Sequence, residues 1–207
     1  MDPEAGACMT RREELKLIGR AKRGHADAFR GIVDAYKDRL AAFVCRMVRN
    51  HHEAEDICQN AFIKAYQSLE SYSDKYAFST WLFTIAYRLS LNTLRKRRAL
   101  SGEIDFSRIG SSEADASLKL ASSEEAGRLR ELIWSAVGEL TPPQKSAVLL
   151  FYREGKSCQE IGLVLGIPAV TVKSHLHRAR EKLRTLLGSD MAAEFGACER
   201  GSDSRLA

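Results

Sequence analysis

Residues 157–187 read Ser-Cys-Gln-Glu-Ile-Gly-Leu-Val-Leu-Gly-Ile-Pro-Ala-Val-Thr-Val-Lys-Ser-His-Leu-His-Arg-Ala-Arg-Glu-Lys-Leu-Arg-Thr-Leu-Leu. Ser157 and Glu160 have capping-box spacing, so each side chain can satisfy a backbone N–H that a first helical turn leaves free. Ile161, Val164 and Leu165 form one apolar stripe, and Gly166 can adopt the left-handed conformation that ends such a helix. Pro168 sits where a second helix opens, at a position where a missing N–H costs nothing. At roughly 100° per residue, Val172, Leu176, Ala179, Leu183, Leu186 and Leu187 share one arc of that helix. Lys173, Ser174, His177, Arg178, Arg180, Glu181 and Arg184 occupy the rest. A short helix, a glycine turn and a longer basic helix form the pattern of a helix-turn-helix, whose second helix enters a DNA major groove.

The rest of the chain supports a nucleic-acid partner. Of 207 residues, 44% are apolar and 29% charged, a balance that excludes a globally disordered chain. No apolar run approaches the roughly 20 residues that a bilayer span needs, and the N-terminus lacks a secretory signal pattern, so no membrane partner is expected. Five scattered cysteines without a Cys-x-x-Cys pair point to reduced thiols in a cytoplasmic protein, with Cys45, Cys58 and Cys158 expected to be buried on helices. The net charge of +5 conceals a pattern: residues 11–98 and 126–187 are basic, while residues 99–125 and both ends are acidic. Two basic modules joined by an acidic segment suit one polyanion gripped at two points.

The predicted fold is all-α, with two small helical domains and a flexible acidic linker. Residues 1–10 are expected to be disordered, 11–98 to form the first domain, 99–125 the linker, 126–187 the second domain and 188–207 a flexible tail. Helices are predicted over about 12–23, 26–49, 53–69 and 80–98 in the first domain. In the second, residues 126–138 look helical, and Thr141-Pro142-Pro143-Gln144 opens another helix with Thr at N-cap, Pro at N1 and Gln at N3.

Two helices of the first domain carry candidate surfaces. Around 53–69, Ala54, Ile57, Cys58, Ala61, Ala65 and Leu69 share one face, while Glu53, Asp56, Gln59, Asn60, Lys64 and Gln67 lie opposite with Ile63 among them. Such a face reads either as a solvated helix surface or as a docking face with an apolar centre. Around 80–98 apolar residues cover most of the circumference, leaving a narrow polar arc of Thr84, Arg88, Asn92 and Arg95 beside Trp81. The preceding Ser71–Ser79 segment interleaves aromatics with small polar residues; Tyr72, Tyr76 and Phe78 can stack unpaired bases or simply close the helical core.

At these residues the chain resembles a family. Ala54-Glu55-Asp56-Ile57-Cys58-Gln59-Asn60-Ala61-Phe62 is similar to the polymerase-binding motif of the extracytoplasmic-function sigma factors. Phe78-Ser79-Thr80-Trp81-Leu82-Phe83-Thr84-Ile85-Ala86 resembles their promoter-melting segment, and residues 171–184 resemble their C-terminal recognition helix. The resemblance covers about 26–98 and 126–187, with the motifs in the family's order. It implies a transcription initiation factor rather than an enzyme, with no cofactor. Glu53, Glu55, Asp56, Gln59, Asn60 and Ile63 would contact bacterial core RNA polymerase. Tyr72, Lys75, Tyr76, Phe78, Trp81, Thr84, Arg88, Asn92 and Arg95 would handle the single-stranded −10 element, with Arg95 to Arg98 holding phosphates. Thr171, Lys173, Ser174 and His177 would meet the −35 duplex, and Arg178 and Arg184 its backbone. An anti-sigma protein is implied as a further partner. The chain departs from the family pattern at Arg88, where Asn is frequent, and at Gly162, where Ala is frequent.

Two other readings compete. An ordinary helix-turn-helix regulator would explain 157–187 but not the two motifs in 53–98. A metal site at Cys158, His175 and His177 is excluded by geometry, because the two histidines diverge by about 200° around one helix.

Overall fold

The computed structural model describes residues 9–101 and 132–187. Residues 102–125 of the expected linker, the expected tail and most of the N-terminal decapeptide lie outside these residues, while 99–101, expected to open the linker, instead continue the last helix of the first domain.

The first domain contains four helices: α1 (Arg11–Lys22), α2 (Ala26–Val48), α3 (His51–Gln67) and α4 (Phe78–Ser101). Thr10, in the stretch expected to be disordered, instead caps α1, its side chain and that of Glu13 exchanging bonds with each other's backbone N–H. Arg49 adopts the left-handed conformation that ends α2, and the Asn50 side chain accepts from the Glu53 N–H to open α3. A 3₁₀ turn, Leu69–Ser71, ends the third element two residues beyond the predicted boundary. The core gathers Ile32, Leu40, Val44, Leu82 and Phe83, with the Phe43 and Phe83 rings edge-to-face at 5.1 Å. Glu14 is buried on the inner side of α1, where the Tyr36 hydroxyl donates to it and Arg11 pairs with it.

In the second domain, α5 occupies at least residues 132–138 and α6 is Pro142–Val148. The latter widens into a π turn over Leu149–Arg153 before α7 (Cys158–Leu165) and α8 (Ala169–Leu187). The expected caps form at both ends of α7: Ser157 with Glu160, and Gly166 at φ 71°. Pro168 lies one residue earlier than N1, since α8 starts at Ala169 and Pro168 offers its carbonyl to Thr171 and Val172. Gly162 explains its own presence. A Cβ there would stand 2.7 Å from the Ile167 carbonyl oxygen, which the turn brings down onto α7. Val172, Leu176, Ala179 and Leu183 pack inward, whereas Leu186 is exposed at the helix end.

The two domains touch. Helix α7 lies on α4, and α6 lies against α2. This second cover explains why apolar residues occupy so much of the α4 circumference: one side serves its own domain and another meets the second domain.

Candidate polymerase and nucleic-acid interfaces

On α3, the alternation of Ala54, Ile57, Ala61 and Ala65 against the core turns Glu55, Asp56, Gln59, Asn60 and Ile63 to solvent. Ile63 is 53% exposed, a large apolar side chain inside a polar field. Such a centre with a polar rim suits a protein contact. Glu53 differs from its neighbours. Its carboxylate is bound by Arg97 of α4, Nε to Oε1 at 2.7 Å and Nη2 to Oε2 at 2.6 Å, so its structural partner lies within the domain. Arg97 also donates to the Val48 carbonyl at 2.8 Å. Of the basic run at the end of α4, Arg97 therefore points inward, while Arg95, Lys96 and Arg98 are exposed.

Asp56, Ile57 and Asn60 share one groove with Leu89, Asn92, Thr93, Arg95 and Lys96. The fold thus brings part of the expected polymerase surface against part of the expected −10 surface. Along α4, Arg88, Asn92 and Arg95 are exposed at three- and four-residue spacing, and Trp81 and Thr84 are half-buried on the same helix. The Thr84 hydroxyl donates to the Thr80 carbonyl at 2.8 Å, which orients it along the helix.

The aromatic segment divides. Tyr72 and Phe78 are buried, with rings 5.4 Å apart and each within 5.5 Å of Trp81. In this conformation they close the core and present no free stacking face. Tyr76 is 41% exposed, with the Lys75 ammonium 5.7 Å from its ring. The residues that hold this loop have no counterpart in the sequence reading. Arg11 donates to the carbonyls of Asp74 and Tyr76 at 2.7 and 2.9 Å and to the Tyr72 hydroxyl at 3.0 Å. Lys22 donates to the carbonyls of Glu70 and Tyr72. Burial pushes the Tyr72 phenol up, against the opposing hydrogen bond from Arg11. The only local hint was the Thr10–Glu13 box, which fixes where Arg11 begins its helix.

On α8, Lys173, Ser174, His177, Arg178 and Arg184 are exposed, and Thr171 is half-buried beside them. The first four share the face opposite Val172, Leu176 and Ala179, leaving a contiguous polar and basic strip. Ser174 back-bonds to the Val170 carbonyl, and Arg184 pairs with Glu181 at 3.0 Å. That pair is exposed and screened, so the guanidinium can exchange it for a phosphate.

Among the described residues, no group of three or more His, Cys, Asp or Glu side chains is placed to hold a metal ion. Cys45, Cys58 and Cys158 carry free thiols on helices; the first two are half-buried and the third fully buried. Burial pushes the Cys58 thiol up to about 12, far from a reactive thiolate at neutral pH. No helix among the described residues is long and apolar enough to cross a membrane.

Residues 32–100 match the family model for sigma-70 region 2, and residues 130–183 match that for sigma-70 region 4. The chain is 37% identical over 185 residues to the ECF RNA polymerase sigma factor SigW of Bacillus subtilis, covering 83% of this chain and 95% of that one. It is 33% identical to the RNA polymerase sigma-H factor of Pseudomonas aeruginosa, covering 84% of this chain and 94% of that one. The fold matches the sigma factor RpoE of Bartonella quintana, solved in complex with the anti-sigma factor NepR, with a TM-score of 0.65 and 25% identity over 77% of this chain and 96% of that one. Two sigma regions in order, over helices whose outward faces carry the family's motif residues, make this chain a member of the extracytoplasmic-function sigma factors.

Proposed function

We propose that this sigma factor binds core RNA polymerase through the outer face of α3 and grips promoter DNA at two points, through α4 with the 71–79 loop and through α8. The observation that carries this reading is that a face suited to protein docking and a strip suited to duplex DNA lie on different domains. Ile63 with Asp56 and Gln59 forms a mixed polar and apolar face, while Lys173, Ser174, His177 and Arg178 form a basic strip on another domain. The −35 duplex is read by the α8 strip, since a helix fits a major groove and Lys173 and His177 can reach base edges. Phosphate contacts from Arg178 and Arg184 fix its register.

At −10, unstacking a base costs a few kcal/mol. Tyr76, Lys75 and the edge of Trp81 border the opened strand, with Arg88, Asn92 and Arg95 along its path and Lys96 and Arg98 at the phosphates. Tyr72 and Phe78 support that site from within. Arg88 offers a cation where a neutral amide is frequent, favouring a phosphate or a guanine edge. We further infer a cytoplasmic protein with no enzymatic activity of its own, restrained by an anti-sigma protein like that bound to its Bartonella relative.

The test is reconstitution with bacterial core polymerase, followed by in vitro transcription on a genomic library. New start sites preceded by a shared two-part promoter support the reading. An unaided duplex footprint with no polymerase association supports a simple repressor or activator instead.

A further inference from the structure

We propose that the outer face of α1, through Arg12, Lys16 and Arg23, binds the phosphates of the opened strand where it runs on from the 71–79 loop toward the transcription start. The inference rests on the promoter-grip reading above. It concerns a helix that precedes the residues matching sigma-70 region 2.

The face is a basic ridge. At roughly 100° per residue, Arg12, Lys16, Arg20 and the C-cap Arg23 fall within about 80° of arc, opposite the buried Glu14, Ile18 and Ala21. All four are exposed. Among the described residues, Arg20 alone of the four forms an ion pair, with Asp27 at 2.6 Å. The acid nearest the ridge, Glu13, is engaged at the helix start, where its carboxylate accepts from the Thr10 N–H and hydroxyl. Helix energetics work against such a ridge. Like charges four residues apart repel, and Arg12 lies in the first turn, where the macrodipole disfavours a cation. A face kept basic against both preferences is suited to meeting an anion.

Its position names the anion. Helix α1 is strapped along the loop by a cation at each end. Lys22 donates to the Glu70 and Tyr72 carbonyls, and Arg11 to those of Asp74 and Tyr76. The loop therefore runs from the end of α1 back to its start, and its exposed tip, Lys75 and Tyr76, arrives beside Arg11. Arg12 is the next residue, and it begins the ridge. The helix cannot easily rock away, because Glu14 is buried and takes the Tyr36 hydroxyl bond from α2.

A strand that passes along α4 and bends at Tyr76 thus leaves directly onto α1. DNA upstream of −10 stays paired to reach the −35 site, so the strand that leaves unpaired is the downstream one. From Arg12 to Arg23 the ridge extends about 16 Å, which matches up to about five phosphates at a stacked spacing of about 3.4 Å. Contacts of this kind carry no sequence preference and hold the strand by charge.

The test uses holoenzyme formed from core polymerase and full-length protein, either wild type or carrying Arg12→Gln, Lys16→Gln and Arg23→Gln together. Glutamine retains helix propensity at these exposed positions. The probe is a promoter fork, duplex through −35, with a single-stranded non-template tail. One fork ends at the downstream edge of the −10 element, and the other continues about five nucleotides further. Wild type should bind the longer fork more tightly, and methylphosphonate linkages in the added nucleotides should abolish the gain. The variant should match wild type on the short fork and gain nothing from the extension. On the longer fork its log–log salt slope should be shallower by about 2, as expected for about three single-strand phosphates. Wild type should then lose roughly fifteen- to twentyfold more affinity than the variant between about 50 and 200 mM salt. Should the triple variant fail to fold, Lys16→Gln alone should change the slope by about 0.7.

A variant that keeps the wild-type gain overturns the proposal. Equal losses on both forks overturn it too, as does a loss confined to core polymerase affinity, which would make the ridge a polymerase contact. If wild-type holoenzyme fails to bind even the short fork, the promoter-grip reading fails and this inference falls with it.

Discussion

The Arg11 guanidinium donates to the Tyr76 carbonyl at 2.9 Å, tying the first turn of α1 to a loop 65 residues later. With the companion bonds to Asp74 and Tyr72, one side chain fixes the path of the segment that we propose borders the −10 strand. Replacing Arg11 by Ala should lower promoter opening about tenfold or more while leaving duplex −35 binding unchanged, because a loosened loop must be reordered with each captured base. Fluorescence of 2-aminopurine at the −10 position, set against band shifts on a −35 duplex, reads the two effects separately.

The two interfaces should respond independently. Asp56→Ala should weaken association with core polymerase, with promoter choice retained in whatever holoenzyme forms. Lys173→Ala should shift −35 preference by about 1–3 kcal/mol with polymerase affinity unaltered. Polymerase titration by fluorescence anisotropy and a −35 mutant panel separate these outcomes; the opposite pattern would mean that the domains' roles are exchanged.

Gly162→Ala should destabilise the second domain. The new methyl group meets the Ile167 carbonyl oxygen at 2.7 Å, a backbone atom held by its place in the turn. Relief requires shifting the turn, at a cost of about 1–3 kcal/mol, despite the helix preference for alanine. Thermal unfolding by circular dichroism should show the loss, with α3 contacts to polymerase intact.

Lys145 is buried on α6, and burial, reinforced by nearby Arg49, lowers its pKa to about 8 from an ordinary 10.5. The folded state therefore binds this proton less tightly than the unfolded chain. The penalty is fully present below pH 8 and is relieved as pH rises from about 8 to 10.5. Lys145→Met should raise the melting temperature at pH 7, by about 1–3 kcal/mol of stability, and the advantage should shrink by pH 10. A constant advantage across that range would contradict the assignment.

What could be read from the sequence was what local rules encode. The caps at Ser157 and Gly166 follow from residue type within one helical turn, and the inward faces of α3 and α8 follow from periodicity; the Thr10–Glu13 box obeys the same local rule but falls in a stretch expected to be disordered. A loop has no period, so nothing in residues 71–79 could sort buried Tyr72 and Phe78 from exposed Tyr76. Likewise, Glu53 looked like another member of the α3 outer face because its partner, Arg97, lies 44 residues away. The contact between the two domains depends on pairings across 76 to 115 residues and on a π turn that leaves no pattern in residue order.

The most direct test of the sigma-factor account is permanganate footprinting of thymines on a promoter obtained from the transcription assay. With core polymerase and this protein together, reactive thymines should appear across the −10 region of the non-template strand, and neither component alone should produce them. The account is contradicted if the −10 thymines stay unreactive in the mixture, or if the protein protects the duplex equally well without polymerase.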